Sequence, residues 1–177
     1  MLARVPSIMM WDDHDIFDGY GSHPTPTQES AVGAGLYQIS ATMFRLFQQG
    51  LGEAEPLPVG GVAFDGPGFS VVAPDLRASR TPERVMDEAS WQWFDTTIAK
   101  RRDGNHCFVM SSVPALGPRL SWVEFLLDYI WPGTNKYEDD LRDQWQSRTH
   151  RKSWRRFLSL MVREIEEHRQ PVTLLSG

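Results

Sequence analysis

The sequence predicts an α/β fold, a layered sandwich of strands and helices with a mixed sheet. Three observations predict it. Short apolar runs of strand length alternate with longer stretches whose apolar residues recur at helical spacing. Two of the strand-like runs flank an Asp-Gly-Pro-Gly turn. An acid-rich loop follows the first apolar run at its C-terminal end, where α/β sheets usually carry their chemistry.

The elements follow in order. Val5 to Trp11, "VPSIMMW", reads as a short buried strand. The acidic stretch after it is a loop. "SHPTPTQES" is a helix entrance: Thr25 caps, Pro26 suits the first helical position and Gln28 completes a capping-box pattern. That helix is expected to run to Gln49 and to bury Leu36, Ile39, Met43, Leu46 and Phe47, with Gly50 and Gly52 stopping it. "GGVAFDGPGFSVVAPD" reads as two strands, the second of them, Phe69 to Ala73, central. A helix from Asp87 to Arg102 is expected to bury Trp91, Phe94 and Ile98.

"HCFVMSSV" is another buried strand, and Pro114 to Pro118 is loop. "SWVEFLLDYIW" is a short helix broken at Pro132-Gly133. One or two long helices then cover 137–168, with Trp154, Phe157, Leu158, Met161 and Ile165 as the apolar stripe. "PVTLLSG" closes the chain as a strand. No internal repeat, low-complexity segment or linker divides the sequence, so residues 1–177 read as a single domain.

Bulk properties narrow the function. A chain of 177 residues can bury a real core. Its net charge of −5 gives no global positive field for nucleic acid. The late basic run "RTHRKSWRR" precedes an amphipathic helix and is followed by Glu164, Glu166 and Glu167, so it reads as a solvated helix face. A single cysteine, Cys107, excludes an internal disulfide framework and reads as a buried core thiol. No apolar stretch approaches the length of a membrane span, and the N-terminus shows no basic-then-apolar signal pattern. Nothing in the sequence specifies an oligomeric state.

The stretch "WDDHDIFDGYGS" carries the strongest chemical signal. Asp12, Asp13, Asp15 and Asp18 repel one another in water, and something must offset that repulsion. A multivalent cation held by carboxylates and His14 is one answer, since these side chains are common ligands of hard and borderline metals. A solvated acidic turn with Asp12 as a cap is the other, and the residues alone leave both open. Asp75, Arg77 and Arg80 end the central strand. An arginine fork there matches the spread charge of a phosphoryl group, and an Asp-Arg ion pair is the alternative reading. "DGNHC" imitates a Gly-Asn-His metal motif but sits where Asp-Gly-Asn is turn chemistry, leaving His106 as a strand residue.

"WDDHDIFDGYGS" resembles the Trp-Asp-Asp-His-Asp/Glu signature of the alkaline phosphatase D (PhoD-like) metallophosphoesterases. "SVVAPDLRASR" is similar to the family's strand ending in Asp-x-Arg-x-x-Arg, and "VMDEASWQWFD" to its next helix. "VMSSVP", "DDLRDQW" and "VTLLSG" resemble later segments in the same order. The resemblance implies a metallophosphoesterase-like α/β sandwich and hydrolysis of small-molecule phosphomono- or diesters by metal ions, iron with calcium among the family's choices.

It further implies that Asp13 bears the metal-ligand role, with Asp12 beside it, and that His14 protonates the leaving oxygen or stabilises charge. Asp18 and Asp143 would supply further oxygen ligands, and Arg77 would face the phosphoryl group. The family's earliest metal motifs precede the Trp-Asp-Asp-His segment, and its Gly-Asp-x-His follows "LSG". The sequence is therefore expected to be the central portion of such a domain, weakly active or inactive alone. A truncated, non-catalytic binding or interaction module is the rival expectation.

Overall fold

The computed structural model describes residues 7–52, 60–101, 104–116, 145, 147 and 149–176. In chain order these form a one-turn 3₁₀ helix at Asp13–Asp15, then α1 (Thr25–Gln28) and α2 (Ala31–Met43), the latter ending in a π-type turn at Phe44–Gln48. They continue with β1 (Gly61–Gly66), β2 (Phe69–Pro74), α3 (Glu88–Ala99), β3 (His106–Ser111), α4 (Arg151–His168) and β4 (Val172–Ser176). The architecture is α/β, with a four-stranded mixed sheet in the order β1-β2-β3-β4.

β1 and β2 are antiparallel and joined by the tight turn at Pro67-Gly68, where Gly68 takes φ 81°. β2, β3 and β4 run parallel. Parallel neighbours need crossovers, and α3 and α4 supply them. The register puts Ser70, Val72, Cys107, Val109, Val172 and Leu174 on the face that these helices cover. Asp87 starts α3 by accepting from the Ser90 N–H at 2.8 Å. The helix buries Trp91, Phe94 and Ile98, as its spacing predicts. α4 buries Phe157, Leu160 and Met161 against them. Phe157 stacks on Phe94 with centroids 5.6 Å apart and on Trp145 at 4.8 Å. Each fully buried aromatic of this kind contributes about 1.5–3 kcal/mol.

Two polar devices lock the layers. The buried Arg101 guanidinium pairs with the fully buried Glu164 of α4 and also donates to the Ile98 carbonyl at 2.8 Å, closing the end of α3. Asn105 donates from Nδ2 to the Phe69 carbonyl at 2.9 Å and to Ser70 Oγ at 3.1 Å, tying the start of β3 to β2. Its neighbour His106 is a strand residue that stacks on Phe108 and meets Thr173 Oγ1 at 2.7 Å.

Three expectations are corrected. Ser7–Trp11 form no strand; Met9, Met10 and Trp11 instead line a cavity against the ends of β1 and β2. A short apolar run has no periodicity of its own, and here Trp11 was recruited into an aromatic cluster rather than a ladder.

The helix expected from Thr25 to Gln49 breaks at Glu29-Ser30, where Ser30 caps α2 by accepting from the Gly33 N–H at 3.0 Å. Its expected buried stripe is turned outward: Ile39 and Phe47 are 60% and 77% exposed. The buried face is the adjacent one, Gly33, Tyr37, Ala41 and Phe44. Gly33 selects that face, because a Cβ there would lie 2.6 Å from the Thr27 and Gln28 carbonyl oxygens. The stretch is apolar nearly all round, so helical spacing did not choose a side. The helix expected in "SWVEFLLDYIW", and Asp143, lie outside the described residues.

A second, smaller core forms from Trp11, Ile16, Tyr20 and Phe44, with Phe17, Tyr37 and Ala41 packed on it. Trp11 stacks on Phe44 at 5.1 Å, and Tyr20 on Tyr37 at 5.6 Å. This cluster carries the acidic loop and fixes it beside the C-terminal end of β2.

Candidate functional site

The site begins with Asp75, the first residue after β2. Its Oδ1 accepts from the Trp11 indole N–H at 3.0 Å and from the backbone N–H groups of Arg77 and Ala78 at 2.8 and 2.9 Å. One carboxylate oxygen thus shapes the turn after the central strand and anchors the residue that leads into the acidic loop. Local Asx hydrogen bonding explains the turn. The indole contact is long-range and had no signal in the sequence.

The turn aims Arg77 back under the loop. Arg77 is 1% exposed. Its Nε donates to Asp12 Oδ1 at 2.6 Å, its Nη2 pairs with the same oxygen, and Nη2 lies 3.4 Å from Asp13 Oδ1. Nη1 donates to the Tyr20 carbonyl at 3.4 Å. The guanidinium therefore spans both ends of the loop, and it supplies much of the offset that the crowded aspartates require. The loop closes on itself as well. The Asp12 N–H donates to Asp15 Oδ2 at 2.8 Å, and the Gly19 N–H to Asp13 Oδ2 at 2.9 Å. Gly19 takes φ 72°, a left-handed turn that a side chain would strain.

His14 stands on the outer side of the loop. Its Nε2 lies 3.0 Å from Asp18 Oδ1 and 4.0 Å from Asp13 Oδ2, with the His14 and Asp18 side chains 75% and 83% exposed. Ligand atoms of Asp13, His14 and Asp18 all lie within 4.8 Å of one another. Two carboxylates and an imidazole converging in this way suit a hard or borderline cation, and the exposed outer side leaves room for water or substrate oxygens. The hydrogen bond to Asp18, helped by Asp13, raises the His14 pKa above its ordinary 6.5. At Asp12, burial pushes the carboxyl up; Arg77 opposes this and Asp13 adds to it. Burial also pushes the Tyr20 phenol up, to about 12.

Of the residues singled out in the sequence, Asp12, Asp13, His14, Asp18 and Arg77 form one constellation. The Arg77 guanidinium is committed to the aspartates. Asp143 lies outside the described residues. Arg80, 2% exposed, is placed with its Nη2 3.3 Å from His150 Nδ1. Gly21 presses on it: at φ 92°, a Cβ there would come 2.6 Å from Arg80 Cδ. Asp75, singled out with Arg77 and Arg80, proves to hold Trp11 and the turn; the contribution of His150 was missed. The Asp-x-Arg-Ala order after an apolar strand is the one signal that announces Asp75 as a turn former.

A second group of possible ligands, Glu164, Glu167 and His168, meets on α4. Arg101, Arg163 and His168 already surround the Glu164 carboxylate, so this group is an ion-pair network. Among the described residues no helix is long and apolar enough to cross a membrane.

The family model described as "PhoD related phosphatase" matches residues 1–54 and 60–140. The chain is also similar to the Uncharacterized protein YGR266W of Saccharomyces cerevisiae, 26% identical over 228 aligned positions that cover 99% of this chain and 32% of the yeast protein. The chain thus spans about a third of that relative's length. No solved structure gives a significant match.

Proposed function

This chain belongs to the PhoD-related phosphatase family, and from that premise we propose that it contributes the acidic-loop part of a metal-dependent phosphoesterase site. One observation carries the reading. Asp13, His14 and Asp18 bring their ligand atoms within 4.8 Å of one another on the outer side of a loop whose inner side is fixed by a buried arginine.

The residues fit a metal ion. Asp13 and Asp18 offer carboxylate oxygens, and His14 offers an imidazole nitrogen when deprotonated. A bound metal supplies a Lewis acid for phosphate oxygens and lowers the pKa of water. The chain's own residues do the rest. Arg77 holds Asp12 and Asp13 at fixed spacing, so it acts as a positioning residue. Asp75 holds the turn that presents Arg77. His14, when not bound to metal, carries its proton at Nε2 next to Asp18, on the exposed side from which a leaving oxygen approaches, and this suits it to general-acid work. The substrates this arrangement favours are small phosphomono- or diesters.

Equilibrium dialysis of the 177-residue chain against Mn²⁺ or Ca²⁺, with an Asp13→Asn variant alongside, tests the reading. Saturable binding that Asp13→Asn weakens about tenfold or more is expected. Equal binding by both proteins, or none by either, would sink it and favour a non-catalytic binding module.

A further inference from the structure

We propose that the outward face of α2 is an interface for a second copy of this chain, the two helices lying antiparallel about a twofold axis at Ile39. Val32, Leu36, Ile39, Met43 and Phe47 are 73%, 41%, 60%, 49% and 77% exposed. Spacings of four, three, four and four residues put them in one stripe along α2 and the π-type turn that extends it. Soluble proteins seldom leave a row of large apolar side chains in water without a partner.

The helix cannot roll to bury this stripe. Gly33 sits against the Thr27 and Gln28 carbonyls, Tyr37 stacks on Tyr20, and Phe44 stacks on Trp11. These contacts fix the rotation of α2 and at the same time carry the acidic loop. The stripe on the neighbouring face is left to solvent.

Shape, charge and area select a second copy as the occupant. The stripe is nearly symmetric about Ile39. Reversed, it sets Val32 against Phe47 of the other copy and Leu36 against Met43, so a small side chain meets a large one. No charged residue lies between Ala31 and Phe44, so pairing neither opposes like charges nor desolvates any there. Gly35, one turn before Ile39, has open space where a Cβ would stand, which lets a facing helix come close. Five side chains exposed to this extent offer on the order of 500 Å² per copy, so a pair buries about 1,000 Å², the lower range for a specific interface. A lipid surface fits less well. Interfacial helices carry several Lys and Arg on their polar face, whereas α2 and its extension hold only Arg45.

The test is sedimentation velocity of the 177-residue chain over a range of concentrations. A monomer–dimer equilibrium is expected. Ile39→Glu sets two carboxylates face to face at the axis and is expected to weaken the dimer about tenfold or more. Thermal unfolding of the dilute variant should match the parent, because Ile39 is exposed. Met43→Glu should also weaken the dimer, and adding Leu36→Lys to the same chain should restore it, since antiparallel pairing opposes positions 36 and 43. His14→Ala is expected to leave the dimer unchanged, which separates this surface from the acidic loop. A chain that is monomeric at every concentration, a dimer that Ile39→Glu leaves intact, or a double variant no tighter than Met43→Glu would overturn the proposal. So would a monomer that sediments with phosphatidylserine–phosphatidylcholine vesicles, which would assign the face to lipid.

Discussion

Arg77 Nε donates to Asp12 Oδ1 at 2.6 Å, joining residues 65 positions apart, with the arginine buried and the aspartate half-exposed. This bond answers the question raised by four aspartates in seven residues. A point charge would balance one carboxylate; a planar fork reaches Asp12, Asp13 and the Tyr20 carbonyl at once.

Arg77→Ala leaves Asp12 and Asp13 facing each other and is expected to cost about 1–3 kcal/mol, less than a fully buried ion pair because Asp12 is half-exposed. Arg77→Lys keeps the charge but not the fork, and should fall between wild type and Arg77→Ala. Urea unfolding measures both. A loss under about 1 kcal/mol for Arg77→Ala would put the pair in the class of surface bridges and end its role as the loop's support.

The outward face of α2 separates burial from hydrophobicity. Phe44 is 7% exposed and stacks on Trp11, while Phe47, one turn on, is 77% exposed. Phe44→Ala is expected to destabilise by about 3–5 kcal/mol and Phe47→Ala by no more than about 0.5 kcal/mol. Comparable losses in thermal unfolding would mean that the two residues share one packed environment.

The Glu88–Arg156 pair gives a pH signature. Arg156 donates to both Glu88 oxygens at 2.9 Å while lying 4.5 Å from the Trp91 ring centroid. Its hydrogen bonds hold the Glu88 carboxyl below the ordinary 4.5. A depressed folded-state pKa means that the stabilisation is present above the unfolded value and is lost as pH falls through the folded one. Carboxyl NMR titration should show Glu88 titrating below 4.5, and Arg156→Gln should return it towards the ordinary range. A Glu88 midpoint that Arg156→Gln leaves in place would show that the pair exerts no hold.

Much of the fold was legible because its signals are local. The Asp-Gly-Pro-Gly turn needed only glycine's freedom, and it produced the β1–β2 hairpin. The spacing of Trp91, Phe94 and Ile98 named the buried face of α3, because polar Gln92 and Thr96 mark the opposite side. α2 was misread for the opposite reason. From Ala31 to Phe44 it has no charged residue to mark a solvent side, so a glycine contact chose the face. Asp12, Asp13, His14 and Asp18 were legible as a group because they lie close in sequence. Asp75's hold on Trp11 was not, since it depends on where the strand ends in space.

By itself the sequence determined an α/β chain, the β1–β2 hairpin, the helix α3 and the strands β3 and β4, and an acidic loop with a histidine that marks it as PhoD-related. Tertiary structure decided which face of α2 is buried, that Trp11 joins an aromatic cluster instead of a sheet, and that Arg77 is spent on the aspartates. The physical reason is range. Backbone propensity and periodicity act within a few residues and can be read in order, whereas desolvating a guanidinium becomes tolerable only where distant carboxylates arrive beside it.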